Sequence, residues 1–191
     1  MSYETPTFRV VDRFGELEIR AYEPYVVAET TVDGDLESAS HEGFRILARY
    51  IFRGNRGRRK LAMTTPVSQE RVEGSRLATT APATEEAVGG KHVIRFMMPT
   101  AYSRETLPEP NNPRVVIREL PARSLATLRY SGTWSKRNYQ KHLERLVATL
   151  REQGYEPLGE PIWARYNPPF TPWFLRRNEI LTEFRTAGGE R

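Results

Sequence analysis

The side chains best suited to chemistry in this chain are sparse and scattered. Its three histidines are His41, His92 and His142, and it has no cysteine. The missing thiols exclude disulfides, thiolate metal sites, cysteine nucleophiles and thioether attachment of a prosthetic group. No H-E-x-x-H, G-x-S-x-G or phosphate-cradling glycine loop occurs, and no His/Asp pair has the spacing of a transition-metal site. His92 follows a glycine turn and reads as a surface residue, and His142 reads as partly covered at the edge of a helix. His41 is different, because an imidazole that can donate, accept or ligate near neutral pH lies there beside an apolar shoulder. The expectation is a binding protein rather than an enzyme.

The helix that carries His41 is predicted from Leu36 to Phe52, with Asp35 as N-cap and Gly54-Asn55 as its end. Leu36, Ala39, Gly43, Leu47, Tyr50 and Ile51 form one apolar stripe at helical spacing. Phe44, Ala48 and Phe52 fan away from that stripe, with His41, Arg45 and Arg49 beyond them. A helix with one core face needs no such shoulder, so either a loop or a ligand covers it. The stretch Asn167 to Arg177, rich in proline and carrying Phe170, Trp173 and Phe174, is the natural covering loop. Arg53 to Lys60 is a second basic segment, but it lacks aromatic residues to stack bases, so no nucleic-acid partner is expected.

A chain of 191 residues with 38% hydrophobic content suits one domain, and a domain of this size buries roughly 70% of its unfolded surface. The net charge of +5 favours anionic partners in general. Neither a signal-like leader nor a membrane-length apolar run is visible, so the expectation is a soluble, cytoplasmic monomer with no membrane partner. Residues 187–191 are expected to be disordered.

The remaining elements read as strands, helix, strands, twice over. Residues 8–32 alternate Leu17, Ile19 and Ala21 with Glu16, Glu18 and Arg20, which predicts a half-buried hairpin with the charged set facing solvent. Lys60 to Val67 is echoed sixteen residues later by Arg76 to Ala83, and the pair reads as two strands of a hairpin around Glu73-Gly74-Ser75. Val93 to Met98 is a further strand, and residues 102–113 form a connector. Ile19-Arg20, Val27-Ala28 and Gly34 recur as Ile117-Arg118, Leu125-Ala126 and Gly132, all 98 positions on, which points to a duplicated half. A second helix opens at Ser135 and stops at Gly154, and strands follow at Pro161–Tyr166 and Asn178–Phe184. Helices flanking a largely antiparallel sheet make the class α+β.

Glu18-Ile19-Arg20 with Tyr22 and Pro24, Arg49-Tyr50-Ile51 before Gly54-Asn55, Lys60 to Val67, Phe96-Met97-Met98-Pro99 and Arg176-Arg177-Asn178-Glu179 together resemble the SOUL haem-binding family. The resemblance runs from about Tyr3 to Phe184. It implies a single domain over residues 1–186, built of two pseudo-symmetric halves, about 8–110 and 111–186. These would form a distorted eight-stranded antiparallel sheet or barrel flanked by two helices. It also implies a non-covalent haem or related porphyrin on the first helix, against the loop 167–177. The ring would rest on Phe44, Ala48 and Phe52 beneath Phe170 and Trp173, its carboxylates would meet His41, Arg45 or Arg49, and His41 or Met63 would be the groups to reach an iron. Ala21 stands where some members carry a histidine, and Phe44 and Ala48 replace methionines. Two other readings use the same shoulder: a module for another flat amphipathic effector, with or without hydrolysis, and a protein that docks a peptide helix.

Overall fold

Gly34 and Gly132 lie 98 residues apart and both take positive φ, 136° and 122°. At each, a strand must turn abruptly into a helix, and an added Cβ would fall within 3 Å of the side chain of Ser38 or Asn138. Only glycine suits both the dihedral and the space. These two corners anchor the duplication that the sequence suggests.

In the computed structural model, which describes residues 3–72 and 90–187, the elements in order are strands β1 (Phe8–Phe14), β2 (Leu17–Tyr22) and β3 (Tyr25–Gly34) and helix α1 (Leu36–Ile51). Then come strands β4 (Val67–Val72), β5 (Gly90–Met97), β6 (Val116–Leu120) and β7 (Arg123–Tyr130), helix α2 (Lys136–Glu152), and strands β8 (Tyr155–Arg165) and β9 (Asn178–Thr186). A 3-10 turn, Trp173–Leu175, lies before β9. All nine strands form one antiparallel sheet in the order β1-β2-β7-β9-β8-β4-β5-β3-β6. That is one strand more than the resemblance implies, and the sheet stays open, with β1 and β6 as its edges.

The centre of that order shows the pseudo-symmetry. β3-α1-β4-β5 and β7-α2-β8-β9 repeat one strand-helix-strand-strand unit, and β4 pairs with β8 where the units meet. The outer strands are exchanged: β2, early in the chain, pairs with β7 of the second unit, and β6, later in the chain, pairs with β3 of the first. Each unit therefore borrows a strand from the sequence of the other.

Both helices lie against the sheet, α1 on β3 and β5 and α2 on β7, β8 and β9. Gly43 lets α1 settle, since a Cβ there would meet Ile94 at 2.6 Å. Beneath α1 the core is Ala28, Val32, Leu47, Tyr50, Ile94 and Phe96; beneath α2 it is Leu17, Ile19, Leu128, Leu146, Leu150 and Ile180. Tyr22, Leu125, Ile162, Ala164, Tyr166 and Leu181 make a third apolar cluster. Between the helices runs the β4–β8 seam, where the register pairs Val67 with Arg165 and Gln69 with Trp163.

Three expectations change. Residues 60–66 are irregular apart from a bridge between Phe52 and Lys60, and the strand begins only at Val67, with β5 and β8 as its neighbours. The echo of that motif, Arg76 to Ala83, lies outside the described residues. His92 is a buried residue of β5 rather than a surface one, because β5 sits between β3 and β4. Burial, then the Arg71 charge, lowers its pKa. Arg20 does not face solvent: it is buried, with Nη1 3.0 Å from Glu179 Oε2, Nε 2.7 Å from Glu18 Oε2, and its guanidinium over the Phe8 ring. The extra strand β1 and the approach of β9 cover a face that two-fold alternation assigns to water.

Candidate functional site

The first turn of α1 starts the site. Asp35 Oδ1 accepts from the backbone N–H groups of Glu37 and Ser38 at 2.8 and 2.9 Å, so this carboxylate satisfies two donors at the helix end. Those bonds hold the Asp35 carboxyl below its usual range. One turn on, His41 Nδ1 lies 2.9 Å from the Glu37 carbonyl oxygen. A carbonyl only accepts, so Nδ1 is the donor here, and in the neutral ring that leaves the lone pair on Nε2. Phe44 is 40% exposed, with its ring 5.3 Å from that of Phe96, half in the core and half out.

Opposite this turn of helix stands the loop that links β8 to β9, and it is fastened by its own backbone. Arg176 Nε donates to the Thr171 carbonyl at 2.8 Å and Nη2 to the Pro169 carbonyl at 2.7 Å, while the Arg177 N–H donates to Asn167 Oδ1 at 2.6 Å. The Gly132 N–H donates to the Trp173 carbonyl, which ties the loop to the corner before α2. With the loop held this way, its aromatics do not pack back on the body as expected. Phe170 is 86% exposed and Trp173 59%.

Between helix, loop and seam lies a cavity of about 610 Å3, lined among others by His41, Phe44, Met63, Trp134, Arg165 and Phe170. Its volume falls within the roughly 300–1,000 Å3 of small-molecule sites. Past Phe44, on the C-terminal half of α1, a wide shallow dish of about 580 Å3 is lined by Phe44, Arg45, Ala48, Arg49, Phe52, Arg53 and Gly54. The structure thus divides the site residues read from the sequence. His41, Phe44, Met63 and Phe170 share the cavity; Arg45, Ala48, Arg49 and Phe52 share the dish with Phe44; Trp173 lines neither.

Two cavity residues were not legible in the chain. Trp134 lies just before α2 and lines the cavity, its indole N–H donating to Asn178 Oδ1 at 2.8 Å and its ring 4.2 Å from the Arg176 guanidinium carbon. The signal for it was the duplication, since Trp134 follows Gly132 as the start of α1 follows Gly34. Arg165, the last residue of β8, has its guanidinium carbon 3.9 Å from the Trp163 ring centroid. Burial pushes its pKa down to about 10, against opposing pulls from Tyr130 and Glu37.

Behind the cavity the wall is anchored by ions. Tyr166 lines the cavity and its hydroxyl donates to Glu179 Oε2 at 2.7 Å. Burial alone would raise the Glu179 carboxyl, but the Arg20 charge and hydrogen bond, the Tyr166 hydroxyl and the Arg177 charge hold it below its usual range. Among the described residues no group of three or more His, Asp or Glu side chains could hold a metal ion, and no helix is long and apolar enough to cross a membrane.

Comparison with known proteins agrees with this architecture. A family model described as "SOUL heme-binding protein" matches residues 3–183. Heme-binding protein 2 of Mus musculus and of Homo sapiens are similar at 27% and 28% identity, over 88% of this chain and 82% of each of theirs. Among solved structures, the EcmrR C-terminal domain is similar at a TM-score of 0.62 and 12% identity, over 89% of this chain and 97% of its own. A hydrolase of Listeria innocua follows at 0.60 and 9%, over 89% and 92%, and at such identities these two likenesses concern the fold alone. With its duplicated unit, its two helices on one sheet and a family match over nearly its whole length, the chain belongs to the SOUL heme-binding protein family.

Proposed function

We propose that this chain binds haem or a related tetrapyrrole non-covalently and without turning it over, with the ring in the cavity between the first half of α1 and the loop 167–177. The observation that carries this is a largely apolar cavity of about 610 Å3 beside a loop whose aromatics stand exposed, in a chain of this family. Burial of a large flat ring supplies most of the free energy of such a complex. Phe44, Met63, Trp134 and Phe170 offer apolar surface, with Phe170 on the loop side. His41 Nε2 is available to an iron, and the bound group would contribute the flat apolar area and two carboxylates. Arg45 and Arg49 line the neighbouring dish and would meet carboxylates only where solvent also reaches them.

The cavity is complete within one chain, which fits a monomer. Glu179, a deeply buried carboxylate behind it, is saturated by Arg20, Tyr166 and Arg177, and this supports a binding role over a hydrolytic one. A second reading, another flat amphipathic effector in the same cavity, is favoured by walls that make no demand for iron. Titration with haemin, followed by porphyrin absorbance and tryptophan fluorescence, tests the proposal. Saturable quenching with a shifted absorbance band is expected, and no change in either signal at tens of micromolar haemin would sink it.

A further inference from the structure

Several buried or half-buried arginines of this sheet have carboxylate partners, and Arg165 differs from them. Arg20 pairs with Glu179 at 3.0 Å, Arg95 with Glu29 at 2.9 Å and Glu70 at 2.6 Å, and Arg177 with Glu179 at 2.8 Å. Arg165 has no carboxylate within 4 Å among the described residues, and its Nη2 donates to a neutral group, Gln69 Oε1, at 3.1 Å. Yet it lies deep. It stacks on Trp163, which is 1% exposed, and its Gln69 partner is 3% exposed. A partly desolvated guanidinium without a close anion is costly, and its fork geometry suits a carboxylate or sulfonate.

The surroundings of Arg165 also favour negative charge. Thr133, Trp134 and Ser135 bring the N-terminus of α2 to the cavity, and the first turn of that helix has no acidic residue. Among the described residues Glu37 is the acidic side chain on the cavity wall, and its charge acts on Arg165 from beyond 4 Å.

We propose that Arg165 forms an anion subsite at the inner end of this cavity, so that an amphipathic ligand enters with a carboxylate or sulfonate leading and its ring trailing toward Phe44 and Phe170. This rests on the cavity being the ligand site proposed above. It reverses the orientation in which the acidic groups meet Arg45 and Arg49 at the surface, and it makes the cavity selective for acids over their esters.

The test uses two fluorescent probes with one aromatic body, anilinonaphthalene sulfonate and its uncharged parent phenylnaphthylamine. The sulfonate should bind more tightly than the parent to the wild-type chain and to Arg165→Lys. Arg165→Met should lose about ten- to a hundred-fold of sulfonate affinity while the parent changes by less than about threefold. Equal losses for both probes, or unchanged sulfonate binding, would overturn the subsite. So would loss of the preference in the double variant Arg45→Ser, Arg49→Ser, which would put the anion in the dish. Should Arg165→Met not fold, a salt series on the wild type decides. A preference that persists at about 0.5 M salt belongs to a desolvated pair, and one that vanishes belongs to exposed arginines. Protoporphyrin and its dimethyl ester separate the two claims. An ester that binds as well as the acid removes the subsite and leaves the tetrapyrrole, whereas Arg165-dependent sulfonate binding without any porphyrin binding leaves the subsite and removes the tetrapyrrole.

Discussion

The two concavities on either side of Phe44 belong to one helix, and they treat charge in opposite ways. Among the described residues the cavity near His41 has one arginine on its wall, half-buried and stacked on an indole, whereas the dish near Phe52 has Arg45, Arg49 and Arg53 at its open rim. Surface charges of that kind are screened within about 10 Å and are worth about 1 kcal/mol or less each. A counter-ion brought to the buried one is worth more, because water no longer competes. Counting basic residues along the helix therefore ranks the two places wrongly, and burial ranks them by what each charge can do.

Several changes would break or sharpen that contrast. The largest is removal of the second half of the chain. The cavity takes walls from both halves while the dish is built from α1 and the turn after it, and the exchanged strands β2 and β6 leave each unit with an open edge. A fragment ending at Asn111 should show no cooperative melt; a soluble fragment that melts sharply would show that the dish can exist without the cavity. Next is Glu179→Gln, which takes from buried Arg20 its fully buried anion and leaves it Glu18 alone, and should cost up to about 3–5 kcal/mol in urea denaturation. Because Glu179 ionises more readily folded than unfolded, its contribution is whole above the unfolded value of about 4.3 and is lost as pH falls through the lower folded value. Wild-type stability should fall along that acid limb, and the variant should lose that part of the slope.

Trp134→Ala removes cavity wall and should weaken porphyrin binding by about 1.5–3 kcal/mol. Phe52→Ala in the dish and Trp173→Ala on the exposed turn should each change it by about 0.5 kcal/mol or less. A larger loss from Phe52 than from Trp134 would move the ligand to the dish. Metal-free protoporphyrin and haemin should bind within about tenfold of each other, roughly 1.4 kcal/mol, and a wider gap that closes in His41→Ala would give His41 the iron. The smallest effect is expected from Arg49→Glu, about 0.5 kcal/mol at low salt and none at high salt. A salt-independent loss there would erase the distinction between rim and interior.

Much of the scaffold could be read along the chain. Asp35 and Ser135 cap helices as expected, because an N-cap is a local contact between a side chain and backbone two or three residues away. Gly34 and Gly132 mark equivalent corners for a similar reason, since φ is a property of the residue and its neighbours. The apolar stripe of α1 and the odd shoulder at Phe44 followed from helical spacing. Lys60 to Val67 was misread because small and β-branched residues before a proline fit an extended loop as well as a strand, and only ladder partners distinguish the two. His92 and Arg20 were placed in water because two-fold alternation assumes one dry face, and here both faces of the strands are covered.

What the sequence by itself determined is the set of local elements, their duplication and the family. The tertiary structure decided which charges matter. Arg165 and Glu179 are fourteen residues apart and look alike in the chain, each a charged residue on a strand next to the Pro-rich loop. Glu179 receives Arg20 from a strand 159 residues earlier, and Arg165 receives only Gln69 and two indoles. The energy of a charge depends on what surrounds it in space, and those surroundings are set by the pairing of distant strands, which periodicity within one segment does not contain.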